Sequence, residues 1–155
     1  TDLHGKVLLI GYGNPGRLDD GLGPALAESV RQMGIDRVTI ESCYQLAVEH
    51  AELAAHYDVT IFADADINGP EPFRFEQLEP NIDAAFSTHS VDPAVILGLA
   101  RDLFNATAIG YLLGIRGYDF DDFGEGLSPR ARENLAAAVE FLQSALQKPG
   151  CEVGP

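Results

Sequence analysis

The sequence has only two cysteines and no apolar run that approaches the ~20 residues of a membrane-spanning helix. A disulfide-stabilised secreted scaffold and a membrane-spanning protein are therefore both disfavoured. The first apolar stretch, "KVLLIGYG", is short and ends in glycines, unlike the hydrophobic region of a signal peptide. We therefore predict a cytoplasmic protein that does not associate with a membrane.

Basic residues are also scarce. Ten lysines and arginines stand against 24 aspartates and glutamates, which gives a formal net charge of -14. Binding to nucleic acid requires a basic surface, so no nucleic-acid partner is expected. The excess of carboxylates either keeps the protein soluble or suits a basic protein segment or a metal ion. The length of 155 residues predicts a single domain over residues 1–155.

The first half of the chain alternates between apolar runs and helical patterns. Buried strands are predicted at 6–12, 37–43 and 58–65, and helices at 22–33 and 46–57. This β-α-β-α-β order is typical of parallel strands joined by right-handed crossovers. Either Asp19 or Asp20 is expected to be the N-cap of the first helix.

The second half adds one edge strand to this pattern. The segment "FRFEQL" alternates like an edge strand. It precedes a helix at 92–104 with Asp92 as N-cap, a strand at 106–115, and a helix that Ser128 caps and that runs to about Leu146. The predicted fold class is α/β: a three-layer α/β/α sandwich with a mostly parallel twisted sheet and one antiparallel edge strand.

The glycine-rich loop "GYGNPGRLDDGLG" at 11–23 follows the first strand, as a phosphate-binding loop would. Its glycines at 11, 13 and 16 match the dinucleotide-binding spacing. However, Pro15 removes a backbone donor, and two carboxylates stand at the helix start where a pyrophosphate would bind. The charge of this loop therefore favours a cation over an anion.

A candidate cation site is formed by Asp20, Asp64 and His89, which lie on three separate segments. Ligands bind at the carboxyl ends of parallel strands, and all three residues are predicted to lie at that edge. Two carboxylates and an imidazole suit a divalent first-row metal ion. Asp19 and Asp66 remain alternatives to Asp20 and Asp64.

Other patterns of catalytic residues are absent from the sequence. No HExxH zinc motif and no Ser–His or Cys–His nucleophile pair stands out. The other three histidines, His4, His50 and His56, are expected to be ordinary surface residues. The residues alone therefore leave the attacking group of any hydrolytic reaction open.

These motifs resemble those of the hydrogenase maturation proteases, which trim the C-terminus of nickel–iron hydrogenase large subunits. The segment "LLIGYGNPGRLDDGLGPALAE" is similar to the N-terminal signature of that family, "TIFADA" to its second motif, and "STHSVDP" to its histidine motif. "GLSPRARENLAAAV" resembles the family's final helix, so the resemblance covers nearly the whole chain.

The resemblance implies that Asp20, Asp64 and His89 are both the catalytic residues and the metal ligands. It implies a nickel ion that the substrate precursor supplies, no organic cofactor, and the large-subunit precursor as partner. Members of the family often have Glu where this chain has Asp20. Some have a "GGT" turn where this chain reads "CYQLAV", which suggests a different class of hydrogenase substrate.

Two alternatives remain at this stage. A metal- or nucleotide-sensing α/β module would need the same ligands but would release no peptide. Peptidyl-tRNA hydrolases also open with a strand and a "GNPG" loop, but here "RLDDGLG" follows, and the net charge of -14 does not suit tRNA.

Overall fold

The computed structural model describes residues 3–83, 91–107 and 109–147. It contains five strands: β1 Val7–Tyr12, β2 Val38–Cys43, β3 Val59–Asp66, β4 Phe73–Leu78 and β5 Ile109–Arg116. Four helices accompany them: α1 Leu22–Arg31, α2 Glu49–Ala54, α3 Pro93–Phe104 and α4 Pro129–Gln147. A short 3-10 turn, Leu18–Gly21, precedes α1. The predicted order of elements is confirmed.

The five strands form one sheet in the order β2-β1-β3-β5-β4. Neighbouring strands are parallel except β4, which runs antiparallel to β5 at the edge of the sheet. The predicted α/β class with a single antiparallel edge strand is therefore confirmed. Because β1 and β3 are parallel neighbours, their carboxyl ends bring the β1–α1 loop and the end of β3 together.

Helices cover both faces of the sheet and enclose two apolar cores. Side chains of α1 and α4, such as Leu26 and Leu142, pack against one face. Side chains of α2 and α3, such as Ala51 and Ile96, pack against the other. Successive residues of β3 alternate between the two cores, Ile61 into the first and Phe62 into the second. This alternation explains the continuous apolar runs, because a strand buried on both faces needs apolar residues throughout.

Several predicted element boundaries differ from the structure, most clearly both ends of α2, which ends at Ala54 rather than at residue 57, and the start of β5. Helix α2 begins at Glu49 rather than at residue 46, because Leu46 is buried in the second core from the preceding loop. Helix α3 ends at Phe104, where Asn105 adopts a left-handed conformation with φ 55°. That C-cap turns the chain and delays β5 until Ile109.

The predicted caps are confirmed for α3 and α4. The Asp92 carboxylate accepts a hydrogen bond from Ala94 N at 2.8 Å, with Pro93 at the first helical position. Ser128 Oγ accepts one from Ala131 N at 3.3 Å. The cap predicted for α1 is wrong: its N-cap is Gly21, and Asp19 and Asp20 lie in the 3-10 turn before it.

Candidate functional site

Asp64 lies near the carboxyl end of β3, on the face that carries α2 and α3. It pairs in register with Gly114 of β5, and it follows Phe62, which packs into the core on the same face. Its Oδ1 accepts a hydrogen bond from Ala65 N at 2.8 Å. The strand thus places this carboxylate at the edge of the sheet where ligands of parallel α/β folds bind.

The electrostatic environment of Asp64 disfavours its negative charge. The pKa of this carboxyl is raised to about 7, mainly by burial and in addition by the charges of Asp20 and Asp66. Hydrogen bonds from Ala65 N and from the hydroxyl of Tyr12 act in the opposite direction. A cation placed here would relieve this repulsion, because it stabilises the ionised form.

Tyr12, the last residue of β1, places its hydroxyl close enough to Asp64 to act as a hydrogen-bond donor that lowers the pKa of that carboxyl. Burial, together with the negative charges of Asp64 and Asp92, raises the pKa of the phenol above its ordinary value. The hydroxyl therefore remains a donor at neutral pH and orients the Asp64 carboxylate. No motif of the sequence identified Tyr12 as a functional residue. Its position at the end of a buried strand, beside the candidate ligand loop, is a signal that could have identified it.

Backbone N–H groups of the β1–α1 loop already donate hydrogen bonds within the protein. Asn14 N donates to Asp20 Oδ2 at 2.7 Å, and Gly16 N donates to Asn14 Oδ1 at 2.8 Å. Backbone carbonyls accept from the N–H groups of Gly13, Arg17, Leu18, Asp19 and Asp20. A phosphate group would need these donors to be free. The loop therefore does not present a phosphate-binding cradle, as its charge predicted.

Asp19 and Asp20 have different roles despite being adjacent. Asp19 is fully buried, and its carboxylate accepts hydrogen bonds from Tyr118 N, Asp119 N, Ser128 N and Ser128 Oγ at 2.7–3.0 Å. Burial alone would raise its pKa, but these hydrogen bonds lower it below its ordinary value. Asp19 thus ties the β1–α1 loop to the β5–α4 loop.

Asp20 is the member of the pair that faces Asp64. Its charge is close enough to raise the pKa of the Asp64 carboxyl, and its Oδ2 accepts from Asn14 N. Because all the oxygens of Asp19 are engaged, the geometry favours Asp20 as the candidate metal ligand.

Asp66, the alternative to Asp64, is engaged in local contacts. Its Oδ2 forms an ion pair with Arg74 Nε at 2.8 Å, and its Oδ1 accepts from Asn68 N and Gly69 N. Arg74 also contacts Glu76. The Asp66 carboxylate is therefore satisfied by the turn that follows β3, which favours Asp64 as the open carboxylate.

The third predicted ligand, His89, lies outside the described residues. The described chain resumes at 91, and α3 begins at Pro93. The charge of Asp92 acts on the phenol of Tyr12, so the start of α3 lies near the Tyr12–Asp64 pair. The position of His89 in the site stays a prediction.

One prediction about the histidines is wrong. His50 is half-buried, and its Nε2 lies 3.7 Å from Cys43 Sγ. The pair is not evident from the sequence, where Cys43 and His50 are seven positions apart. The order of the elements could have indicated this pair, because Cys43 ends a parallel strand and His50 lies in the first turn of the helix that follows.

Within residues 3–83, 91–107 and 109–147, no group of three or more His, Cys, Asp or Glu side chains converges as a metal site would. In the same part of the chain, no helix combines the length and hydropathy needed to cross a membrane. Asp20 and Asp64 alone would be an incomplete ligand set for a metal ion.

No protein-family model matches the sequence, and no curated protein matches it significantly. The fold, however, is similar to solved structures of one class, the hydrogenase maturation proteases. The endopeptidase HybD from E. coli superposes with a TM-score of 0.73 at 23% identity, over 94% of each chain.

Two archaeal structures agree with this match. The [NiFe] hydrogenase maturation protease HycI from Thermococcus kodakarensis has a TM-score of 0.70 at 23% identity, over 92% of this chain and 93% of that one. The hydrogenase 2 maturation peptidase from a Thaumarchaeota archaeon has a TM-score of 0.67 at 24% identity, over 92% and 98%. The chain therefore has the fold of the hydrogenase maturation proteases.

Proposed function

We propose that this chain is an endopeptidase that removes the C-terminal extension of a nickel–iron hydrogenase large-subunit precursor after nickel insertion. The observation that carries the proposal is the proximity of the Asp20 charge to the half-buried carboxylate of Asp64 at the carboxyl edge of this fold. The proteins named as hydrogenase maturation proteases share that fold. Asp20, Asp64 and His89 would recognise the nickel that the precursor carries.

The incomplete ligand set suits an ion that arrives with its substrate. Two carboxylates alone bind a divalent ion weakly, so the remaining donors would come from His89 and from the precursor. We infer that water is the attacking group, and the ionised carboxylate of Asp64 would accept its proton. Both ligation of nickel and proton acceptance require Asp64 to be ionised.

The surface around the site suits a polypeptide substrate. Four large apolar side chains are exposed on loops that follow the carboxyl ends of the strands: Tyr44, Val48, Ile67 and Phe123. If these side chains form a contiguous patch in the complex, they would contact the precursor. Carboxylates flank Phe123 at Asp121, Asp122 and Glu125, and they would complement a basic segment of the precursor.

The test compares nickel-loaded and nickel-free precursor incubated with the purified protein, with intact mass reporting loss of a C-terminal peptide. Cleavage is expected only with nickel, and the single variants Asp20→Asn, Asp64→Asn and His89→Gln should abolish it. Asp36→Asn is the matched control, because Asp36 is exposed just before β2, at the opposite edge of the sheet. Full processing by Asp64→Asn would contradict the proposal. Nickel binding without any peptide release would instead favour a sensor module.

A further inference from the structure

Cys43 and His50 form a pair of potential metal ligands outside the Asp20–Asp64 site. Cys43 is the last residue of β2, and His50 lies in the first turn of α2. Cys43 Sγ and His50 Nε2 are 3.7 Å apart. With a typical zinc–sulfur bond of ~2.3 Å and zinc–nitrogen bond of ~2.0–2.1 Å, two tetrahedral ligand atoms lie about 3.5–3.6 Å apart. An ion would therefore fit between these two atoms with little rearrangement.

The backbone of Ala47 holds the imidazole in a ligand-like orientation. His50 Nδ1 lies 3.0 Å from Ala47 N and 3.1 Å from Ala47 O. One tautomer accepts a hydrogen bond from the amide and directs an Nε2 proton at the sulfur. The other donates from Nδ1 to the carbonyl and leaves the Nε2 lone pair facing Cys43. Metal-binding histidines usually donate their other ring proton to such an acceptor, so the second tautomer is prepared for an ion.

The surroundings of the thiol favour a bound positive charge, either a proton or a metal ion, over the bare thiolate. Burial raises the pKa of the Cys43 thiol, and the charge of Glu41 raises it further. Glu41 lies two residues before Cys43 and thus on the same face of β2. A bound metal ion deprotonates its cysteine ligand outright. The negative charge of Glu41 disfavours the free thiolate, but it would stabilise the complex of the thiolate with a cation.

This pair is distinct from the Asp20–Asp64 site. Tyr12 of β1 pairs in register with Cys43, and β1 lies between β2 and β3. Two strand spacings of ~4.8 Å place the Cα atoms of Cys43 and Asp64 about 10 Å apart. Tyr12 lies between the two residues in the sheet, so the thiol of Cys43 and the carboxylate of Asp64 are neighbouring groups rather than one cluster.

We propose that Cys43 and His50 bind a thiophilic divalent transition-metal ion, such as Zn(II), Co(II) or Ni(II), at a second site beside the carboxylate site. A soft thiolate and an imidazole select this class of ion over Mg(II) and Ca(II). Because only two side chains of the described chain supply ligands, the ion keeps open positions for water or for donors of another molecule. This inference goes beyond the proposed peptidase activity and does not depend on it.

Titration of the reduced protein with Co(II), followed by absorption spectroscopy, tests the proposal. Thiolate ligation produces a sulfur-to-cobalt charge-transfer band in the near ultraviolet. The wild type should show this band, excess Zn(II) should remove it, and Cys43→Ser should lack it. His50→Gln should weaken binding at least tenfold. Circular dichroism of each variant verifies that the fold is retained.

Two control variants show which side chains produce the charge-transfer band. Cys151→Ser removes the other cysteine of the sequence, and Asp64→Asn removes the neighbouring carboxylate; both should keep the band. A wild type without a charge-transfer band at millimolar Co(II) would overturn the proposal, as would a band that survives Cys43→Ser. Failure of the peptidase assay would leave this result unaffected, since the cobalt spectrum is independent of cleavage.

Discussion

Gly11 of β1 and Gly23 of α1 are in direct backbone contact: a Cβ atom added at Gly11 would lie 2.2 Å from the carbonyl oxygen of Gly23. A Cβ at Gly23 would lie 2.3 Å from Tyr12 O and 2.6 Å from Ala63 O. Two glycines thus let α1 lie directly on β1 and β3. This contact brings the turn before α1, and Asp20 with it, to the end of β3 where Asp64 lies.

Gly23→Ala should therefore destabilise the protein and separate the two carboxylates. We expect a loss of about 2–3 kcal/mol in the free energy of unfolding, because the added methyl meets backbone atoms that cannot rotate away. The pKa of Asp64 should fall as Asp20 moves away. Urea denaturation measures the first effect and carboxyl NMR titration the second. Glu28→Ala, at an exposed position of the same helix, is the control and should change neither.

Asp64→Asn should stabilise the metal-free protein at pH 8 but not at pH 4. The folded pKa of about 7 lies above the ordinary value of 3.8, so the unfolded chain loses this proton first as pH rises. Wild-type stability therefore falls between pH 4 and 7 and is constant above that range. The asparagine variant avoids this loss, which amounts to about 2–4 kcal/mol. Urea denaturation across this range measures the difference. Equal differences at pH 5 and pH 8 would contradict the prediction.

Tyr12→Phe should raise the pKa of Asp64 further. The phenol donates a hydrogen bond that stabilises the ionised carboxylate, and phenylalanine cannot replace it. NMR titration of the Asp64 carboxyl carbon reports the change. Tyr44→Phe removes a hydroxyl from a side chain that is 73% exposed and should leave this pKa as it is. An unchanged Asp64 pKa in Tyr12→Phe would show that the phenol does not hold the carboxylate.

Asp19→Asn should destabilise the protein by about 3 kcal/mol at neutral pH. It removes a buried charge that accepts four hydrogen bonds from two distant segments. Ser128→Ala removes only the hydroxyl donor and should cost about 1 kcal/mol. Because the folded pKa of Asp19 is lowered, its stabilising effect is full above pH 4 and is lost as pH falls through the folded value. Denaturation at pH 7 and pH 3 tests both points, and equal stability of wild type and Asp19→Asn at pH 7 would refute them.

The sequence predicted most of the fold because local patterns determine it. Continuous apolar runs identified the buried strands, and the alternation in 73–78 identified the antiparallel edge. Asp92 and Ser128 were recognisable as caps from their own neighbours. Asp64 was recognisable as a candidate because a carboxylate at the end of an apolar strand is costly without a partner.

The parts that the sequence did not predict depend on long-range contacts. Aspartate is a residue type typical of N-caps, so the sequence around Asp19 predicted a local role. Its partner Ser128 is 109 residues away, and no local pattern indicates that pairing. The Cys43–His50 pair depends on how the loop before α2 turns around Ala47. The domain assignment, the cytoplasmic location and the ligand role of His89 stay predictions.

The contact between Asp19 and Ser128 also sets an order of events during synthesis. Residue 19 leaves the ribosome more than a hundred residues before its partner, so the turn that carries Asp20 is without its anchor for most of translation. All five strands precede Ser128 in the chain. A nascent or truncated chain that ends before Ser128 therefore has its sheet residues but lacks the hydrogen bonds that Ser128 donates to Asp19. The turn that carries Asp20 is fully anchored only when the last helix begins to form.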